Sequence, residues 1–149
     1  MTPKVTTPIK HVLAVAILPT LFVSLLFYTL LGHRRDYLGH YAAGYGGTLS
    51  VLAIVFAAIP ASAFERLALF TVLPCTLLCI GAGTVTEATV FRLAKFDEID
   101  FCNQSLGAIL AGLVAIHIIR IAKPSDMALR CMVAIGALFL LVGGYFAVT

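Results

Sequence analysis

The sequence predicts an all-α, polytopic integral membrane protein in which five transmembrane helices form one bundle. Hydrophobic residues make up 61% of the 149 residues, charged residues make up 11%, and the mean hydropathy is +1.06. Such a composition provides too little polar surface to cover a water-soluble core. A bilayer core of about 30 Å requires about 20 apolar residues per helix. Five such runs fill the chain and predict a single domain over residues 1–149, with spans at about 11–31, 39–60, 66–91, 100–121 and 127–148.

The first run follows Lys4 and Lys10 and therefore resembles a secretory signal peptide. Its apolar stretch is about 20 residues long, whereas the apolar region of a signal peptide has about 7–15. No A-x-A cleavage site directly follows it. We therefore expect this segment to remain in the protein as a membrane anchor.

The second and fourth runs each begin with polar residues and continue with small residues along one helical face. Positions spaced by three or four residues share a face. In the second run this face carries Asp36, His40, Ala43, Gly44, Gly47 and Ser50, and in the fourth it carries Asp100, Asn103, Gly107 and Ala111. Small residues allow helices to pack closely in lipid. We expect the two faces to meet and their polar ends to form a pocket.

The third run carries Glu87 about one turn before its end, where a carboxylate is costly and is usually paired or functional. We expect Glu87 to form the third wall of the pocket, with Arg92 or His40 as its partner. A structural salt bridge between helices is an equally open interpretation. Two interpretations stay open for Asp97, as a pocket residue or as the cap of the fourth helix, and two for Asp100, as a pocket residue or as a first-turn acid favoured by the helix dipole. Arg92 is either a pocket residue or an interfacial anchor. Glu98 is expected to be solvated.

The basic residues favour a cytoplasmic N-terminus and a periplasmic C-terminus. The N-terminal side of the membrane would carry Lys4, Lys10, Arg66, Arg120 and Lys123, and the opposite side Arg34, Arg35, Arg92 and Lys95. In this orientation the polar pocket opens toward the periplasm.

The pocket residues resemble a motif of the VanZ-like family of small bacterial membrane proteins. The matching pattern is D-x-x-x-H at Asp36 and His40, then Glu87, then Arg92, and then D-x-x-D-x-x-N-x-x-x-G at Asp97, Asp100, Asn103 and Gly107. The resemblance covers about residues 33–115. Tyr37 and Val90 depart from the pattern, because the family usually has Lys and Gln at these positions.

The resemblance implies a role in the bacterial cell envelope, since the family's namesake is associated with low-level resistance to teicoplanin. We expect a protein of the bacterial inner membrane whose outward pocket engages a lipid-linked or envelope component. No catalytic motif is found, so the chain is not expected to be an enzyme. The alternative is an accessory subunit of a larger respiratory or photosynthetic membrane complex. Transport is the weakest interpretation, because no ionisable residue accompanies Pro74, Gly81 and Gly83 at mid-depth.

No cofactor, metal site or nucleic-acid partner is predicted, and the expected partners are membrane lipid and other membrane subunits. His40 and His117 lie about 24 Å apart along the membrane normal at 1.5 Å per residue, so they cannot share a haem. His11 and His33 are expected at the two interfaces. Ligation of a pigment by a single histidine stays open. The cysteines lack zinc-site spacing and are read as packing residues; they are Cys75, Cys79, Cys102 and Cys131.

Overall fold

The protein folds into a bundle of long helices, as the composition predicts. The computed structural model describes residues 9–30, 32–90, 97–121 and 124–148, without the side chains of Glu65, Glu87, Val90 and Val148. Within these residues there are five helices: α1 (Ile9–Leu30), α2 (Arg35–Ala58), α3 (Phe64–Val90), α4 (Glu98–Ile121) and α5 (Asp126–Val148). Each is long and apolar enough to cross a membrane. The prediction of an all-α bundle with five spans is therefore confirmed.

The end of α1 is set by a glycine that follows the helix. After α1, Gly32 adopts a left-handed conformation with φ of 68°, and the backbone N–H of His33 donates to the carbonyl of Tyr28 over 2.9 Å. The rings of Tyr28 and His33 lie 4.8 Å apart, edge to face. This bond, the left-handed glycine and the contact between the two side chains are the elements of a Schellman C-cap. The cap turns the chain directly into α2.

Helices that follow one another in the chain alternate in direction, so the bundle has two ends. The His40 end holds the end of α1 and the starts of α2 and α4, and the His117 end holds the start of α1 and the end of α4. The edge-to-face contact between Phe56 and Phe64 closes the turn between α2 and α3 at the His117 end. These two names are used below for the ends of the bundle.

Helix α2 is the centre of the bundle, with 56% of its span buried. It runs antiparallel to α5, and the two backbones touch at paired glycines. A Cβ atom at Gly39 would overlap the backbone of Ala147, and one at Gly143 would overlap that of Ala43. Gly46 and Gly136 repeat the arrangement two turns along. The two helices are thus held together mainly by van der Waals contact between their backbones.

The opposite side of α2 contacts α4, which runs parallel to it. A Cβ atom at Gly44 would overlap the carbonyl oxygen of Gln104, and one at Gly107 would overlap the carbonyl oxygen of Tyr41. Ala111 is fully buried one turn further along α4. The faces that the sequence predicts to meet do so at Gly44 and Gly107. Gly47 is different, because its Cβ would meet only the side chain of Leu140, at 3.7 Å.

Helices α1 and α3 lie at the periphery. The hydroxyl group of Tyr45 donates to the carbonyl of Ala16 and ties α1 to α2. Helix α3 packs on α2 and α4, and Thr76 lies against Gly112 there. Large apolar side chains such as Phe22, Phe70 and Leu78 are exposed on these outer helices, as expected for surfaces that face lipid.

Candidate functional site

A histidine and a carboxylate from two different helices meet near the His40 end. The Nε2 atom of His40 lies 3.5 Å from Oδ2 of Asp100, and the two side chains are only 9% and 14% exposed. The close approach of α2 and α4 at Gly44 and Gln104, one turn further in, brings the two side chains within reach. The pair is an ion pair when the imidazole is protonated. In an apolar bundle its electrostatic attraction is stronger than in water.

Asn103 extends this polar pair by one turn along α4. Its side chain is 6% exposed, and its Nδ2 atom finds no hydrogen-bond partner among the described residues. Buried amide groups are normally hydrogen-bonded, so a donor of this kind marks a place where a partner is expected. Glu87 lies on α3, but its side chain is outside the described residues, and Arg92 is outside them entirely.

Asp36 is held by a neighbour in sequence. The Nε atom of Arg34 donates to its Oδ1 over 3.0 Å, and a second contact joins Nη2 to Oδ2. The guanidinium also stacks on the ring of Tyr37, with 4.3 Å to the ring centroid. The hydrogen bond and the charge of Asp36 raise the pKa of Arg34 above its usual value. Asp36 lines a separate cleft of about 440 Å³ between the start of α2 and the end of α5.

Asp97 acts as the cap of α4. Its Oδ1 accepts the backbone N–H of Ile99 over 2.8 Å, which satisfies one of the free donors at the start of the helix. Glu98 is exposed, as expected for a solvated side chain. Of the predicted pocket residues in the described part of the chain, the structure joins His40 and Asp100, places Asn103 one turn away, and gives Asp36 and Asp97 local partners.

A cavity of about 380 Å³ adjoins His40 and penetrates between the helices. Small residues of four helices form its wall, which explains why the space is not filled. The lining residues are His40, Ala43, Gly44, Gly47, Thr48, Val51, Cys79, Ala82, Gly83, Thr86, Gln104, Leu140, Gly144 and Ala147. The walls are mainly apolar, with His40, Thr86 and Gln104 as polar groups toward the His40 end. The shape and chemistry suit an amphipathic molecule better than a small ion.

Two parts of the cavity wall, Gln104 and the α5 residues, are not predicted from the sequence. Gln104 lies between Asn103 and Ser105 in sequence and gives no signal of its own, yet its side chain packs directly over Gly83 of α3. The α5 wall, with Leu140 and Gly144, is also missed. A signal for α5 exists, because Gly39 and Gly46 on α2 share a seven-residue spacing with Gly136 and Gly143 on α5.

The fold and the site together define a multi-pass α-helical membrane protein with a polar His40–Asp100 pair, of which His40 lines a cavity between the helices. No family model, no curated protein and no solved structure matches the chain. The resemblance to the VanZ-like family therefore rests on the sequence motif alone. Among the described residues, no group of three or more His, Cys, Asp or Glu side chains is arranged to hold a metal ion.

Proposed function

We propose that the protein is a VanZ-like, non-catalytic binding protein of the bacterial inner membrane. We further propose that the cavity with His40 in its wall, called the α2–α5 cavity because residues of α2, α3, α4 and α5 line it, holds a lipid-linked component of the cell envelope. The observation that carries the proposal is the cavity of about 380 Å³ with His40 in its wall. An isoprenoid or acyl chain would lie against the small residues of the wall, and the polar headgroup would reach the His40–Asp100 pair. Hydrophobic burial then supplies affinity, and the polar pair supplies orientation.

The proposed orientation places the N-terminus in the cytoplasm and the His40 end at the periplasmic surface. Envelope precursors carry their polar groups at that surface after export, so the cavity would open where such a ligand is found. The motif D-x-x-x-H at Asp36 and His40, together with Asp100, Asn103 and Gly107, supports the family assignment.

Gly47→Leu is the variant that tests the cavity most directly. A Cβ atom at Gly47 would meet no backbone and only the side chain of Leu140, so a leucine there should extend into the cavity that Gly47 lines. Gly81→Leu is the matched control, because a Cβ atom at this position on α3 has nothing within 4 Å. Both changes replace a helical glycine by the same residue and give the same gain in helix propensity.

The experiment is purification in mild detergent, followed by mass spectrometry of the lipids and proteins that remain bound. We expect wild type and Gly81→Leu to retain a lipid-linked cell-wall precursor and Gly47→Leu to lose it. Equal retention by all three proteins would show that the cavity is not the site. Stoichiometric co-purification of other membrane subunits, without a retained precursor, would favour the alternative role as an accessory subunit.

A further inference from the structure

A second groove lies at the opposite end of the molecule, between α1 and α4. Its volume is about 500 Å³, and it is lined by His11, Ala14, Val15, Leu18, Pro19, Leu110, Leu113, Val114 and His117. Two histidines thus stand at one end of an otherwise apolar groove. This groove shares no residue with the α2–α5 cavity.

The two histidines are brought together by the antiparallel packing of α1 and α4. Their ring centroids lie 5.9 Å apart with the ring planes inclined by 32°. The Nε2 atom of His11 is buried and has no hydrogen-bond partner among the described residues. Because buried polar atoms normally have partners, a partner for this nitrogen is expected outside the described residues. His117 is exposed and is the histidine that a molecule in the groove can reach.

The length of the groove fits one lipid chain. From His11 to Pro19 α1 rises by about 12 Å at 1.5 Å per residue, and one leaflet contributes about 15 Å of a hydrocarbon core of about 30 Å. The groove therefore begins close to the membrane surface and ends near the bilayer centre. An acyl chain that follows it would have its headgroup beside the histidines.

The charges at this end favour an anionic headgroup. Arg120 follows His117 by three residues, so it lies one turn closer to the membrane surface on the same side of α4. The described charged side chains of the His117 end are Lys10, Arg66, Arg120, Arg130 and Asp126, whereas those of the His40 end are Arg34, Arg35, Asp36, Asp97, Glu98 and Asp100. Among these described side chains, cations outnumber acids only at the His117 end, and basic pockets between membrane helices bind anionic lipid headgroups.

We propose that the α1–α4 groove binds one anionic phospholipid, with an acyl chain along Leu18, Leu110 and Leu113 and the phosphate group at His117 and Arg120. The imidazole of His117 donates to a phosphate oxygen, and the guanidinium of Arg120 adds a charge-assisted hydrogen bond. The bound lipid completes the packing of α1, which otherwise contacts the bundle along only part of its surface. The site is independent of the proposed envelope ligand.

The test is a titration of the purified full chain with phosphatidylglycerol and with phosphatidylcholine of identical acyl chains, followed by native mass spectrometry. We expect phosphatidylglycerol to bind about tenfold more tightly, since at least one basic side chain near the headgroup discriminates between the two lipids. Arg120→Gln should weaken phosphatidylglycerol binding by about fivefold and leave phosphatidylcholine unchanged. Arg130→Gln is the control, because it removes the same charge from the same end of the bundle but lies outside the groove.

A second variant makes the test independent of the polar residues. Ala14 is exposed and lines the groove, so Ala14→Phe should fill the groove without disturbing buried packing and should abolish tight binding of phosphatidylglycerol. Equal affinity for the two lipids, equal losses in Arg120→Gln and Arg130→Gln, or full binding by Ala14→Phe would each overturn the proposal. So would displacement of the lipid by millimolar inorganic phosphate, which would identify a site for a soluble anion.

Discussion

At the scale of single residues, the carboxylates at the start of α4 divide according to the direction in which the helix turns them. Asp97 precedes the first turn and caps it, Glu98 points to solvent, and Asp100 turns inward to His40. Successive residues of an α-helix are rotated by about 100°, so acids only two or three positions apart meet different surroundings. This rotation separates a capping residue, a surface residue and a buried polar residue within four positions.

The buried pair gives the first prediction. Asp100→Leu removes the carboxylate that lies beside the ring of His40, so we expect the free energy of unfolding to fall by about 1–3 kcal/mol. Asp100→Asn retains an acceptor and should lose less. Thermal unfolding in mild detergent measures both, with Glu98→Gln as the control that melts like wild type. A similar melting temperature for Asp100→Leu and Glu98→Gln would show that the pair contributes nothing to stability.

The second prediction concerns Glu87, which the sequence places at the centre of the polar cluster. Glu87→Leu removes charge and hydrogen bonding, whereas Glu87→Gln removes only the charge. If Glu87 pairs with Arg92 or His40, the leucine variant should lose about 1–3 kcal/mol and the glutamine variant less. The same melting assay ranks them. An unchanged or raised melting temperature for Glu87→Leu would place the carboxylate in water or among lipid headgroups.

At the scale of helices, α2 is unusual because its backbone touches another backbone on two sides. Gly39 and Gly46 meet α5, and Gly44 meets α4. Glycine is required at these contacts because a Cβ atom would overlap the neighbouring backbone. Backbone conformation is not the reason, since these residues are in ordinary helix. Two helices are therefore positioned against α2 closely enough to hold the His40–Asp100 pair and the walls of the cavity in place.

Glycine-to-alanine changes test this close packing. Gly107→Ala would push a Cβ atom into the carbonyl oxygen of Tyr41 and should destabilise the protein by about 1–3 kcal/mol through overpacking. Gly144→Ala is the matched control in α5, because nothing lies within 4 Å of its Cβ position. It should instead stabilise the helix by up to about 1 kcal/mol. Equal melting temperatures for the two variants would contradict backbone contact between α2 and α4.

The sequence predicts the α2–α4 contact but misses the α2–α5 contact, and the reason is physical. On α2 and α4 polar residues begin each small-residue face, which marks the face that turns away from lipid. On α5 the glycines at 136 and 143 stand among leucine, valine and phenylalanine, and hydropathy alone does not distinguish a face that meets lipid from one that meets protein. The ion pair of Arg34 with Asp36 is also missed, because it depends on side-chain rotamers at the start of the helix.

At the scale of the whole molecule, an odd number of helices places the first and last described residues at opposite ends of the bundle. The fold and the number of spans follow from hydropathy, because each helix must satisfy its own backbone hydrogen bonds in lipid. The orientation in the membrane is less well determined by sequence, since basic residues are almost equally divided between the two sides. The contact between His11 and His117 joins two helices that are far apart in sequence. It could be inferred only by comparing the depths of the two residues in the membrane.

The topology gives the last prediction. A reporter fused after Thr149 should be active in the periplasm, and one fused before Ile9 should be active in the cytoplasm. Paired fusions with alkaline phosphatase and green fluorescent protein measure the two locations. Both termini on one side would require a different number of spans. A full reversal would place the His40 end in the cytoplasm and remove the basis for an outward-facing site.

The glycine contact between α2 and α5 also has a consequence for biogenesis. The second helix leaves the ribosome well before α5, and α5 inserts later. Until then the glycine face of α2 is exposed to lipid or to the insertion machinery, and the cavity lacks one wall. The cavity of a nascent chain is therefore incomplete until α5 inserts, and a chain truncated before α5 would present an open small-residue surface that membrane proteases and chaperones can recognise.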